Sequence, residues 1–240
     1  MLANIFAGLL LAVLVALALQ ASRDAYARRA QDATERIAIT LQQAIAADLQ
    51  QADMALRSVQ AVWRHAADQR LPAAQLAQML ADQRELNPEL QGLLVTDAQG
   101  IVRQGRSADA ASDLSGRALF RRARDDAAAG VLVSDPLRGG DDQPWSIMLA
   151  RRLQHADGSF DGVVACQLAV GRFERMFAGI QLGEEGAITL RTDSLQLVAR
   201  HTSQGPRSQD VGSTQVSRQL IDALRVDPAR GFFVSRTALD

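Results

Sequence analysis

WSIMLARRLQHADGSFDGVVACQLAV, residues 145–170, is two apolar runs separated by the short polar segment HADGS. Each run is strand-length and rich in Val, Ile and Leu, and the break between them carries a glycine, so the stretch reads as a β-hairpin. Working outward, VLVS (131–134) reads as a further strand, joined to the hairpin by the turn-rich loop DPLRGGDDQP (135–144). Before it, Ser115 is placed to cap a helix in GRALFRRARDDAAA (116–129), with Leu119 and Ala123 facing inward and Gly130 closing the end. Earlier still, LLVTD, AQG and IVRQG (93–105) read as two short strands around a turn. The order is strand, strand, helix, strand, strand, strand, with short reversals throughout. That predicts an α+β fold with an antiparallel sheet of about five strands in residues 90–170 and helices flanking it. A parallel nucleotide-binding sheet is excluded by the same pattern.

Past a short helix around Phe173–Phe177, the pattern restarts. GAITLRTD and LQLVARHT read as strands, VSRQLIDAL as a helix and GFFVSRTALD as a last strand with nothing after it. An edge strand without a partner marks this second unit as unfinished, so the chain is expected to be a fragment or the product of a truncated gene.

In the other direction, residues 22–68 contain neither Gly nor Pro. Ile37, Leu41, Ile45, Leu49, Ala52, Leu56, Val59 and Trp63 recur there every three or four residues, the mark of one long amphipathic helix. At ~1.5 Å per residue it runs on the order of 60 Å, longer than a small domain covers. It is therefore expected to project as a stalk with part of it packed on the domain, and to pair with a second copy through its apolar stripe. Pro72 opens a second helix with Leu76, Met79, Leu80 and Leu86 on one face, and Asn87-Pro88 ends it.

The first residues hold IFAGLLLAVLVALAL (5–19), an uncharged run which, with its neighbours, reaches the ~20 residues that cross a bilayer. Two readings stand: a retained signal anchor over 1–21, and a signal peptide cleaved near Ala16-Leu17-Ala18. Arg23, Arg28 and Arg29 follow the run and no basic residue precedes it. A positive-inside count would put the following residues in the cytoplasm, and a basic leader lost to a late start codon would reverse that count.

Composition narrows the function. The net charge is −1, all 26 basic residues are arginine and both signs are scattered, so there is no basic face for nucleic acid. The single cysteine, Cys166, excludes an internal disulfide and a cysteine-based metal site. His65, His155 and His201 lie in separate elements without metal-ligand spacing, and no P-loop or nucleophile-elbow string occurs. No enzymatic machinery, cofactor or metal is expected.

Several segments taken together resemble the double Cache family, the PDC-type, PAS-like extracytoplasmic sensors that precede diguanylate cyclase, histidine kinase or chemotaxis output domains. They are DLSGRALFRRAR (113–124), VLVSDP (131–136), WSIMLARRL (145–153), the ADG turn with DGVVACQLAV (156–170) and LGEEGAITLRTDSLQLVAR (182–200). The resemblance runs over roughly 25–240 and implies an anchor (1–21), long helices (22–88), a membrane-distal PAS-like unit (89–179) and a truncated membrane-proximal one (180–240). It also implies a periplasmic sensor of a small molecule, set in the inner membrane and passing ligand occupancy to an output domain beyond this chain; the alternatives are an anchored or secreted solute-binding protein and a dimerisation module that binds nothing.

Strand periodicity puts Trp145, Ile147, Leu149, Arg151 and Leu153 on one face, so that one arginine falls among apolar side chains. Such a guanidinium suits bidentate capture of a carboxylate, with Trp145 as a wall. A plain structural reading makes Trp145 a core residue and Arg151 an edge residue whose head reaches solvent. The resemblance adds Arg117, in the place of the family's pocket-helix arginine, followed here by Ala118, Leu119 and Phe120. Ala118-Leu119 supplies no polar partner for an ammonium group, so a simple carboxylate or an apolar ligand stands at least level with an amino acid. The expected ligand site is thus Arg117, Phe120, Trp145 and Arg151, with the two arginines converging.

Overall fold

The structure, a computed structural model, describes residues 2–66, 73–106, 111–140, 142–184 and 186–229. The chain divides into two compact units, Met1–Ala47 and Asp48–Asp240. A single helix, α1 (Leu2–Ala66), supplies the first unit and continues into the second. The side chains of 2–13, where most of the expected anchor lies, are outside the described residues, as is the expected last strand at 231–240. Among the described residues no helix is long and apolar enough to cross a membrane.

The second unit is built on an antiparallel sheet. Its strands are β1 (Leu90–Thr96), β2 (Val102–Gly105), β3 (Leu132–Val133), β4 (Ser146–Gln154) and β5 (Phe160–Ala169), in the order β2-β1-β5-β4-β3. The hairpin at 145–170 forms as read, with Leu149 opposite Cys166 and Ala150 opposite Ala165. β1, β5 and β4 are the inner strands, and β4 and β5 are buried on both faces, which is why their apolar residues run consecutively rather than alternating. One glycine is fixed by geometry: Gly162 has φ +122°, and a Cβ there would stand 2.2 Å from the Thr96 carbonyl oxygen.

One face of this sheet carries α3 (Ala118–Asp125). Leu94, Leu114, Leu119, Phe120, Met148 and Ala150 form part of the packed core between them. The other face carries residues 48–63 of α1, tied to β4 and β5 by polar contacts at Asp53, Gln60 and Trp63. Between those ties Ala52, Leu56 and Val59 are buried. The part of the apolar stripe expected to await a second copy is thus covered by the chain's own sheet. α2 (Ala73–Leu86) leads into β1.

α3 is shorter than read. Its N-cap is Arg117, without a side-chain cap bond, and it stops at Asp125 because Asp126 is extended (φ −116°, ψ 103°). Ser115, the expected cap, instead donates its backbone N–H to Asp113 Oδ1 at 2.7 Å, an Asx turn that satisfies the amide before the helix begins.

After β5 come α4 (Val170–Ala178) and a three-stranded antiparallel sheet of β6 (Ala187–Arg191), β7 (Leu197–Thr202) and β8 (Gly205–Pro206). Phe173 and Phe177 of α4 are buried, as are Leu197, Val198 and Ala199 of β7. α5 (Arg218–Val226) follows, capped by Ser217, whose hydroxyl accepts from Leu220 N–H. The restart seen in the sequence is therefore a second, smaller sheet with its own helix.

Candidate functional site

Arg151 and Arg152 are neighbours on β4, and neighbours on a strand point to opposite faces. Arg151 faces α1. Its Nε and Nη2 donate to Asp53 Oδ1 at 2.5 Å and Oδ2 at 2.9 Å, a two-pronged ion pair with both side chains nearly buried. Burial by itself would raise the Asp53 carboxyl, but hydrogen bonds and charge from Arg151 and Arg57 outweigh it and hold the group below the usual carboxylate range.

Arg152 faces α3 and is 7% exposed. Its Nη1 donates to the carbonyls of Ala123 (2.9 Å) and Arg124 (2.7 Å), and its Nη2 to Gly158 O (3.3 Å). A cation is thereby held at the C-terminal end of α3, where the helix carbonyls point outward and the dipole favours positive charge. The guanidinium also lies 4.9 Å from the Phe160 ring centroid, and Phe160 meets Phe120 edge to face at 5.4 Å. The Arg152 Nε is buried too and finds no acceptor among the described residues.

The four residues expected to bind ligand do not gather round one cavity. Phe120 is 1% exposed, inside the core under α3. Arg117 stands half-buried at the start of α3. Arg151 is across the sheet from that helix, so the expected convergence of Arg117 and Arg151 is corrected: the carboxylate that Arg151 captures is the chain's own Asp53. Trp145 precedes β4, has Arg138 stacked at 5.7 Å over its ring, and approaches Gly212 beyond the second sheet. The residue missed is Arg152. Its signal was present in the sequence as the second arginine of the pair, on the opposite face of the strand.

A second polar cluster joins α1, β1 and α4. Arg172 of α4 donates to both oxygens of Asp48 (2.6 and 2.7 Å) and approaches Glu89 at 2.9 Å. Together with Gln51 and Asn87 these residues line a shallow groove whose charges are already paired within the chain. His155 lies 3.2 Å from Asp161, which also accepts from Trp63 Nε1 at 2.7 Å, so that pair belongs to the seam between α1 and the hairpin.

No protein-family model matches the chain, and no curated protein matches it. Solved structures do. The extracellular domain of a candidate histidine kinase, rpHK1S-Z16, superposes with a TM-score of 0.62 at 24% identity over 75% of each chain. The ligand-binding domain of the Pseudomonas aeruginosa PAO1 amino-acid chemoreceptor PctC, in complex with GABA, gives 0.52 at 19% identity, over 77% of this chain and 76% of that one. The ligand-binding domain of the Pseudomonas fluorescens chemoreceptor CtaA, with L-serine, gives 0.52 at 17% identity over 77% and 72%. The chain shares the fold of these histidine-kinase and chemoreceptor domains.

Proposed function

We propose that this chain is the extracytoplasmic sensing region of a membrane signalling receptor, and that it detects a small carboxylate on the α3 side of the five-stranded sheet. The observation that carries the reading is Arg152. It is a nearly buried guanidinium with one N–H lacking an acceptor among the described residues, set against the Phe160 ring in a fold shared with domains that bind GABA and L-serine. Both of those ligands carry a carboxylate.

The proposed mechanism is competition. In the structure Arg152 is occupied by the last carbonyls of α3, and Phe120 fills the space beneath the helix. A carboxylate offers that guanidinium an opposite charge and a two-pronged acceptor, where the α3 carbonyls offer only neutral single ones. Its arrival would release the end of α3 and lift Phe120, with Arg117 moving on the same helix. Ligand can act only through its different affinity for the two positions of α3.

The five-stranded unit is then the membrane-distal sensor and the three-stranded one the membrane-proximal unit. The apolar run at 5–19 anchors the chain in the inner membrane, with residues 22–240 in the periplasm. The output domain, a diguanylate cyclase in the reading favoured by the sequence resemblance, belongs to the rest of the receptor. Nothing in this reading asks the chain for catalysis.

A second reading, a dimerisation module that binds nothing, is favoured by the filled space between α3 and the sheet. In it, exposed Met54 and Val62 on α1 would meet a second copy, since Ala52, Leu56 and Val59 are already buried. Thermal unfolding of the full chain, titrated with small carboxylates including GABA and L-serine and with their amides, separates the two. Binding at about a hundred times Kd stabilises by about 2.7 kcal/mol, a rise of several degrees for a chain of this size. Arg152→Lys, which keeps the charge and loses the planar fork, should lose the rise. No shift with any carboxylate, together with concentration-dependent self-association, would favour the second reading.

A further inference from the structure

We infer that Asp135 is a latch through which the α3 side of the larger sheet controls the conformation of the smaller one. Asp135 follows β3, and its Oδ1 accepts hydrogen bonds from two hydroxyls of the β6–β7 turn, Thr192 Oγ1 at 2.9 Å and Ser194 Oγ. The two hydroxyls also touch each other at 2.8 Å. One carboxylate oxygen thus gathers a turn that belongs to the other sheet.

On the near side, Asp135 is coupled to the face that α3 covers. Ser134 N–H donates to Met148 O at 2.8 Å, and Met148 N–H donates back to Ser134 Oγ at 2.9 Å. The same hydroxyl donates to Asp135 O at 2.6 Å. Met148 lies in the core cluster with Phe120 and Leu119 of α3. A shift of α3 that repacks Met148 therefore moves the Ser134 bonds and, with them, the Asp135 carboxylate.

On the far side, the turn is suited to answer. Leu195 has φ +64°, a left-handed conformation that non-glycine residues adopt reluctantly. It is held there by Leu195 N–H to Thr192 O (2.8 Å), Thr192 N–H to Gln196 O (3.0 Å) and Arg191 Nη1 to Leu195 O (2.8 Å). A disfavoured backbone held by a few bonds has a relaxed alternative within reach, which is what a switch element requires. With Asp135 bonded, the turn stays wound; with Asp135 withdrawn, the Thr192 and Ser194 hydroxyls are free and the turn relaxes into β6 and β7.

The purpose of such a latch rests on the sensor reading, but the coupling itself is measurable with no ligand present, so the two fail separately. Hydrogen exchange of the full chain, read by mass spectrometry, is the test. Asp135→Ala should speed exchange of residues 190–197 about three- to ten-fold, the factor that loss of roughly one hydrogen bond gives, while β1 and β5 keep their protection. Ser134→Ala, which does not touch the turn, should speed the same residues by a smaller factor. Coupling is reciprocal, so Thr192→Val with Ser194→Ala should speed exchange at 134–137 and 146–148. Asp135→Asn, which keeps the accepting oxygen, should behave like the parent and guards against a folding defect. An unchanged turn in Asp135→Ala overturns the proposal. So does a turn that responds to Asp135→Ala alone, with no effect from Ser134→Ala and none in the reverse direction, because Asp135 would then be only a local cap.

Discussion

Replacing Asp53 by alanine leaves Arg151 charged beneath α1 with no carboxylate to meet it. The two side chains are 13% and 11% exposed, and the guanidinium uses both prongs on this one partner. Removing one member of a fully buried pair costs about 3–5 kcal/mol, and the residual exposure here lets water compensate part of that, leaving about 2–4 kcal/mol. Arg57, whose side chain is 64% exposed, adds little to the pair. For a chain of this length each kcal/mol moves the melting temperature by about 2–4 °C, so Asp53→Ala should melt roughly 5–15 °C below the parent. The double variant Asp53→Leu with Arg151→Met removes both charges and keeps the volume, and it should return to within about 1 kcal/mol of the parent. The assay is thermal unfolding of the full chain in detergent, followed by circular dichroism. A single variant within about 2 °C of the parent, or a double variant as unstable as the single one, would refute the claim that this pair fixes α1 on the sheet.

Asp53 also sets an acid limit. Its carboxyl is depressed in the folded state, so its contribution is complete above the unfolded value, near pH 4, and is lost as pH falls through the folded one. The melting temperature should drop below about pH 4, and Asp53→Asn should flatten that drop in a pH series. Burial pushes the Cys166 thiol up to about 12, so native chain at pH 8 should resist a disulfide-exchange reagent that labels the denatured chain at once. Gly162→Ala drives a methyl group into the Thr96 carbonyl where β1 meets β5. A loss of at least about 3 kcal/mol should follow, seen as a lowered denaturant midpoint; an unchanged midpoint would mean that the strands part easily there. Phe120→Ala empties the space under α3 and should cost about 3–5 kcal/mol by the same measurement.

The secondary structure was legible because its signals are local. The absence of Gly and Pro, with the apolar period, marks residues 22–66 of α1, and the paired apolar runs at 145–170 mark β4 and β5. Where local signals compete, the sequence pattern misplaces a boundary. Ser115 is a good cap residue, but Asp113 two positions earlier takes its amide into an Asx turn and moves the start of α3 to Ala118. The tiny strand β8 and the positive φ of Leu195 have no composition signal, since both are imposed by pairing within the second sheet.

The site was legible only to within one residue, and the reason lies in the doubly covered sheet. In a strand with one wet face, polar residues mark the outside and a buried arginine stands out. In β4 both faces are buried, so periodicity separates Arg151 from Arg152 without saying which face meets α3. The information that decides it sits about a hundred residues away, in the long helix. Asp48 and Asp53 lie beside the part of the apolar stripe where Ala52, Leu56 and Val59 are buried, and an acid buried beside such a stripe calls for a cation opposite. Each finds one, Arg172 for Asp48 and Arg151 for Asp53. Once the helix has claimed Arg151, the remaining arginine of the pair must satisfy itself on the other face, and the carbonyls at the end of α3 are the acceptors it finds. An acid on a helix stripe and adjacent arginines on a strand therefore constrain each other. In this fold, that constraint leaves Arg152 as the cation facing the α3 side of the sheet.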